Sequence, residues 1–125
     1  MRIRVAVSLI ALLVLVGCAS DSGPSDAVYS YFEALTEADE ARVVELSCAD
    51  YEANATTRVA TFASLDARLS DDAACTSGEV TGDSARVTCQ DSIVITYGLE
   101  DQEVQLATYS AVQEGGTWRM CGEIE

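Results

Sequence analysis

Hydrophobic positions change their period once along this chain, near residue 75, and the change predicts helices followed by strands. Val28, Tyr31, Phe32 and Leu35 fall at i, i+3, i+4 and i+7, the apolar stripe of an amphipathic helix. Pro24 suits the first turn of that helix, and Asp26 lies near the positive end of its dipole. The stretch 36–39 breaks the stripe, and Asp39 is placed to cap a second, shorter helix carrying Val43, Val44 and Leu46. Asp50 starts a third. In it Tyr51, Ala55, Val59, Phe62, Leu65 and Leu69 recur at three- and four-residue spacing until the polar residues at 70–72.

From Cys75 onward the period is two. Ala85, Val87 and Cys89 alternate with Arg86, Thr88 and Gln90, and Ile93, Ile95 and Tyr97 follow. A loop is expected at GLEDQ. Val104, Leu106, Thr108, Ser110 and Val112 then alternate with polar or small neighbours, and the turn EGG leads into Thr117-Trp118-Arg119-Met120. These read as antiparallel strands joined by short turns. Helices first and a meander second predict an α+β domain, with N-terminal helices packed on a curved antiparallel sheet of about four strands.

The first 23 residues follow another logic. Arg2 and Arg4 precede an uncharged run over residues 5–16, interrupted only by Ser8. A spanning helix needs about 20 apolar residues, so this run is too short to be a mature anchor and reads as a secretory leader. Its end, Leu15-Val16-Gly17-Cys18, resembles the lipobox of bacterial lipoproteins, in which the thiol is joined to diacylglycerol and the chain is cut before it. The resemblance implies a signal peptide over 1–17, acylation at Cys18, a polar tether over 18–23 and a domain over 24–125. Each buried methylene contributes about 0.8 kcal/mol, so one acyl chain binds marginally and two hold stably. The alternative is an ordinary signal peptide with a chance cysteine.

Charge narrows the partners. Arg2 and Arg4 leave with the leader, so five arginines face 21 acids, a net charge of −16, with no lysine or histidine. Such a surface repels phosphate backbones and anionic headgroups, so no nucleic-acid partner is expected. Asp71-Asp72 and Glu100-Asp101-Glu103 lack the alternating oxygens and central glycine of a calcium loop, and no metal or other cofactor is expected. Asn54-Ala55-Thr56 fits a glycosylation sequon, which three residues match easily by chance.

Apart from Cys18 there are four cysteines: Cys48, Cys75, Cys89 and Cys121. An even count in an exported domain reads as two disulfides, with three pairings open. A tight hairpin at Gly82-Asp83 brings Cys75 and Cys89 within one residue of facing each other, and a slightly longer loop puts them opposite. That leaves Cys48 for Cys121. Alternation places Cys121 on the face opposite Trp118 and Met120, so this pair requires a bend, for which Gly122 is placed.

The segments AVYSYFEALTEADEARVVEL, VTGDSARVTC and GGTWRMC together resemble the cystatin-like superfamily that includes the nuclear transport factor 2-like and polyketide-cyclase folds. The resemblance implies a cone-shaped domain whose helices and concave sheet enclose a pocket, lined here by Tyr31, Phe32, Tyr51, Phe62, Tyr97 and Trp118. It also implies pairing through the sheet as one oligomeric arrangement. Relatives that catalyse isomerisation set an acid or histidine base against a tyrosine or protonated acid. Here Tyr29, Tyr31, Tyr51, Tyr97 and Tyr109 offer hydroxyls and Asp66 or Asp91 a carboxylate, and no spacing selects a pair.

The expectation is therefore a non-catalytic cell-envelope lipoprotein, anchored by its lipid on the extracytoplasmic face of the cell membrane. Ala19 after the acylated cysteine favours the outer membrane where one exists. The domain is expected to bind a small apolar ligand or an envelope partner protein. Two alternatives stand beside it. An isomerase- or cyclase-type enzyme predicts a buried carboxylate facing a tyrosine. A structural interaction module predicts a cone filled by its own side chains and an exposed apolar patch elsewhere.

Overall fold

A computed structural model describes residues 23–124; Cys18, the leader and most of the tether lie outside the described residues. Helix α1 (Pro24–Thr36) starts with Pro24 in its first turn and buries Ala27, Val28, Tyr31, Phe32, Ala34 and Leu35. The chain turns at Ala38, whose φ is +55°. Asp39 then accepts a 3.3 Å hydrogen bond from the Arg42 amide and caps α2 (Glu40–Glu45), satisfying one of that helix's free donors. A 3-10 turn at Ala49–Tyr51 leads into α3 (Glu52–Phe62), which turns Ala55 and Val59 inward.

The third helix is shorter than the apolar spacing suggests. It ends at Phe62, and Asp66–Leu69 form strand β1 instead. Ala67 and Leu69 face the core while Asp66 and Arg68 are exposed. Leu65 and Leu69 satisfy a helical and an alternating pattern at once, and pairing of β1 with the rest of the sheet decides between them.

The remaining strands are β2 (Ala74–Thr81), β3 (Ser84–Gln90), β4 (Ser92–Tyr97), β5 (Glu100–Gln105), β6 (Thr108–Glu114) and β7 (Thr117–Glu123). They form two antiparallel sheets, β2-β3-β6-β7 and β1-β4-β5. The two are continuous through kinks. Asp91, with φ +71°, separates β3 from β4, and residues 106–107 separate β5 from β6. Across the kink the Leu106 amide donates to the Asp91 carbonyl at 2.8 Å, and the Cys89 amide to the Ala107 carbonyl at 2.9 Å. The seven strands thus follow four bent ribbons, and the bend makes the concavity that α1 fills.

Two further departures from the sequence expectation fall on β5 and β6. The segment GLEDQ is a turn only at residues 98–99, and Glu100 onward pairs with β4. On β6 the buried positions are Tyr109 and Ala111 rather than Thr108, Ser110 and Val112. A kink between two strands resets which parity faces inward.

Both disulfides rest on bulges. Cys75 and Cys89 are bonded and directly paired, with Cα atoms 4.0 Å apart. The turn at Gly82-Asp83 is tight, and a register shift between Ser77 and Val80 supplies the residue needed to bring the cysteines opposite. Cys48 and Cys121 are bonded with Cα atoms 5.2 Å apart. Leu46–Cys48 runs alongside β7: the Met120 amide donates to the Leu46 carbonyl at 2.7 Å, and the Cys48 amide to the Met120 carbonyl at 2.8 Å. Cys121 therefore reaches its partner at the sheet edge while Met120 stays in the core. The required bend falls at Gly122, whose φ is +108°, a conformation that costs other residues strain.

Candidate functional site

Three of the six residues expected to line a pocket meet inside the cone, and they fill it. The Tyr31 and Phe32 rings meet edge-on with centroids 5.2 Å apart, and Tyr51 lies 6.1 Å from Tyr31. Tyr109, singled out in the sequence only for its hydroxyl, completes the group with its ring 4.8 Å from Phe32. Leu35, Val87 and Met120 occupy the space around them, and all three are buried. Phe62 and Trp118 are half-buried at the margin of this core. Tyr97 is not part of it: it stands on the β4–β5 hairpin with 49% of its surface exposed.

The hydroxyls inside the cone differ in their satisfaction. Tyr109 accepts a 3.1 Å hydrogen bond from the Ala107 amide. Burial raises its pKa, and that hydrogen bond opposes the shift. The Tyr31 residue is 0% exposed, and among the described residues its hydroxyl has no partner of good hydrogen-bond geometry, the Tyr51 hydroxyl being its nearest polar neighbour. Burial first and the Tyr51 hydroxyl second push its pKa far above the ordinary phenol value, because neither tolerates a charge there. Tyr31 is thus held neutral.

No carboxylate joins these phenols among the described residues. Every described aspartate and glutamate is exposed except Glu114, which is half-buried and accepts from the Ala49 amide at 3.2 Å. Asp91 sits at the kink, where its carboxylate accepts from Ser70 Oγ at 2.6 Å and Ser92 Oγ at 3.3 Å. That geometry fixes the bend. Asp66 is exposed at the start of β1. No group of three or more potential metal ligands converges among the described residues, and Asn54 is exposed on α3.

Three clefts lined by described residues lie at the surface. One of about 330 Å³ is bounded by Tyr51, Asn54, Thr57, Arg58 and Glu123 at the mouth of the cone. Another of about 260 Å³ lies between α1 and β1, beside Tyr29, Glu33 and Leu69. A third of about 530 Å³ runs over β2, β3 and β6 beside Glu79, Arg86 and Ser110. None of the three is lined by Tyr31 or Phe32.

Of the large apolar side chains exposed among the described residues, Val80 is on β2 and the other three are on the β4–β5 hairpin. Leu99 at its turn is fully exposed, and Val104 is half exposed. Cross-strand pairs set Val104 opposite Ile93, Gln102 opposite Ile95 and Glu100 opposite Tyr97. Facing partners share one side of a sheet, so Val104 and Tyr97 lie on the side that carries the buried Ile93 and Ile95. Helix α1 packs on β1, β2, β3, β6 and β7, and all six residues of β5 are exposed. The core-facing side of the sheet therefore continues beyond its helical cover. Alternation alone could not reveal this, since Val104 reads as a core position.

Among the described residues no helix is long and apolar enough to cross a membrane. No sequence-family profile matches the chain, and no curated protein matches it in sequence. Solved structures do match in shape. A protein of the nuclear transport factor 2-like family from Streptomyces avermitilis, provisionally called a dehydratase, superposes with a TM-score of 0.58 at 15% identity, over 79% of this chain and 92% of that one. A SEC-C motif containing protein from Rhodopseudomonas palustris gives 0.56 at 15% identity, over 80% and 77%. At such identities the likeness is one of fold: three helices on a bent antiparallel sheet, as in nuclear transport factor 2-like domains.

Proposed function

We propose that this chain is a cell-envelope lipoprotein, acylated at Cys18, whose domain acts without catalysis as an interaction module for another envelope protein. The observation that carries this reading is the contrast between a cone filled by Tyr31, Phe32, Tyr51 and Tyr109 and a hairpin that leaves Tyr97, Leu99 and Val104 to solvent. A domain built to enclose an apolar ligand would keep its concavity open. Exposed apolar side chains on one element point instead to a binding surface. An enzyme of the isomerase type would need a carboxylate beside the buried phenols, and the described acids lie elsewhere.

The anchor is tested by Cys18→Ser, which should leave an unlipidated precursor; normal maturation and membrane retention would contradict it. The surface is tested in the living cell by a photo-crosslinking side chain at Leu99, with a control at Thr56 on α3. A discrete product identified by mass spectrometry is expected at 99 and not at 56. Equal products at both positions, or none, would refute the reading. A product of twice the chain's mass would indicate pairing of two copies.

A further inference from the structure

We propose that strand β5 is a docking edge for an extended basic segment of a second protein, which adds to the β1-β4-β5 sheet as a further strand. The proposal rests on the interaction-module reading and names the partner's chemistry. β5 is the last strand of its sheet and pairs only with β4. On the other half of the same ribbon the edge is covered, because β7 pairs with β6 and the Ile124 amide closes on Thr108 at 2.8 Å. From Gln105 back to Glu100 no such cover exists among the described residues. A strand edge of this kind presents a row of backbone donors and acceptors, which an extended peptide can complete.

The side chains select what can pair there. β5 reads Glu100-Asp101-Gln102-Glu103-Val104-Gln105, three acids in six residues with no basic residue. Only Asp101 has a cation nearby, Arg68 at 3.7 Å, and it also accepts from Thr96 Oγ1 at 2.7 Å. Glu100 and Glu103 make no ion pair among the described residues. A second copy brought edge to edge would set these acids against each other, and like charges opposite one another destabilise a sheet. An anionic lipid surface is repelled for the same reason. A segment alternating arginine or lysine with apolar residues meets both demands, with its cations beside Asp101 and Glu103 on one face and its apolar side chains along the face of Val104 on the other. The acids exclude indiscriminate strand pairing and admit a basic partner.

The experiment uses the full chain in mild detergent, with hydrogen exchange followed by mass spectrometry. The probe is a short peptide alternating valine and arginine. The control keeps its arginines but carries proline at alternate positions, so that it cannot complete a ladder. At about ten times its Kd the first peptide should slow exchange across residues 100–105 about tenfold, and the proline peptide should not. The slowing should weaken in Glu103→Gln, whose carboxylate lies on the face that meets the arginines. Equal slowing by both peptides would show charge alone at work and overturn the proposal. So would protection confined to other segments, or none. Protection without peptide that fades on dilution would put a second copy on the edge, and would also overturn it. If the Leu99 cross-link forms while the peptide fails, only this inference falls; if neither works, the interaction reading falls with it.

Discussion

The two ends of the bent ribbons are built from the same strands and treated differently. In the β2-β3-β6-β7 half, α1 lies across the concave side, both disulfides tie the ribbon edges, and alternate residues such as Ala85, Val87 and Cys89 are buried. In the β4–β5 hairpin, a few residues further along the same ribbons, β4 still buries Ile93 and Ile95, while Tyr97 at its end and all of β5 are exposed. Burial rather than strand propensity separates them, since Val104 and Val87 are chemically identical. The covered half holds the fold together. The exposed end of the hairpin leaves Tyr97, Leu99 and Val104 to solvent.

Substitutions in the covered half should sharpen this contrast most. Phe32→Ala removes a ring that touches both Tyr31 and Tyr109, and the loss is expected at about 3–5 kcal/mol in denaturant unfolding. A value near zero would mean that the cone is not a rigid core. Replacing Cys48 and Cys121 together by serine opens a link between residues 73 apart in sequence. In the chain-entropy account a ring of that size contributes roughly 4 kcal/mol, against about 3 kcal/mol for the Cys75–Cys89 ring. Unfolding of the two double mutants should rank in that order.

A smaller loss of about 1–3 kcal/mol is expected for Gly122→Ala. A side chain at φ +108° is strained, and the added Cβ would lie 3.5 Å from the Tyr51 ring. An unchanged midpoint would show that the bulge relaxes without cost.

How much of this was legible follows from what each pattern encodes. The stripe Val28, Tyr31, Phe32, Leu35 was legible because a helix buried on one side repeats its period in sequence. The cap at Asp39 and the turn at Gly82 were legible for reasons equally local. The kink at Asp91 was not: aspartate with positive φ has no apolar signature, and its role depends on Ser70, 21 residues away. Its companion kink at residues 106–107 resets the buried parity on β6 and so moves Tyr109 into the core. The aromatic residues of the candidate site therefore sorted by position rather than by type. Tyr31 and Tyr51 went inward with the helices, while Tyr97 fell beyond the cover.

Tyr31→Phe probes the one unsatisfied phenol of the covered half. It removes a buried hydroxyl that has no partner of good geometry among the described residues, so stability at neutral pH should hold or rise by about 1 kcal/mol. The larger signature is in alkali. Tyr31 and Tyr109 have folded pKa values raised above the unfolded one. Their favourable contribution is complete below the unfolded phenol pKa of about 10 and is lost as pH rises through the folded values. The wild-type chain should therefore lose stability above that pH, and Tyr31→Phe should flatten the slope. An unaltered slope would mean that Tyr31 ionises as freely folded as unfolded.

The smallest expected effect decides the other side of the comparison. Leu99→Ser exchanges an apolar side chain that contacts little for a polar one of similar exposure, and such surface changes fall within about 0.5 kcal/mol. The unfolding midpoint should not move, whereas Phe32→Ala moves it far. With the photo-crosslinking side chain moved to the neighbouring exposed Tyr97, loss of the cross-linked partner in Leu99→Ser with stability intact would separate binding from folding on a single pair of ribbons. Substantial destabilisation would instead make the hairpin turn part of the core, and the contrast between a covered half and a binding half would fail.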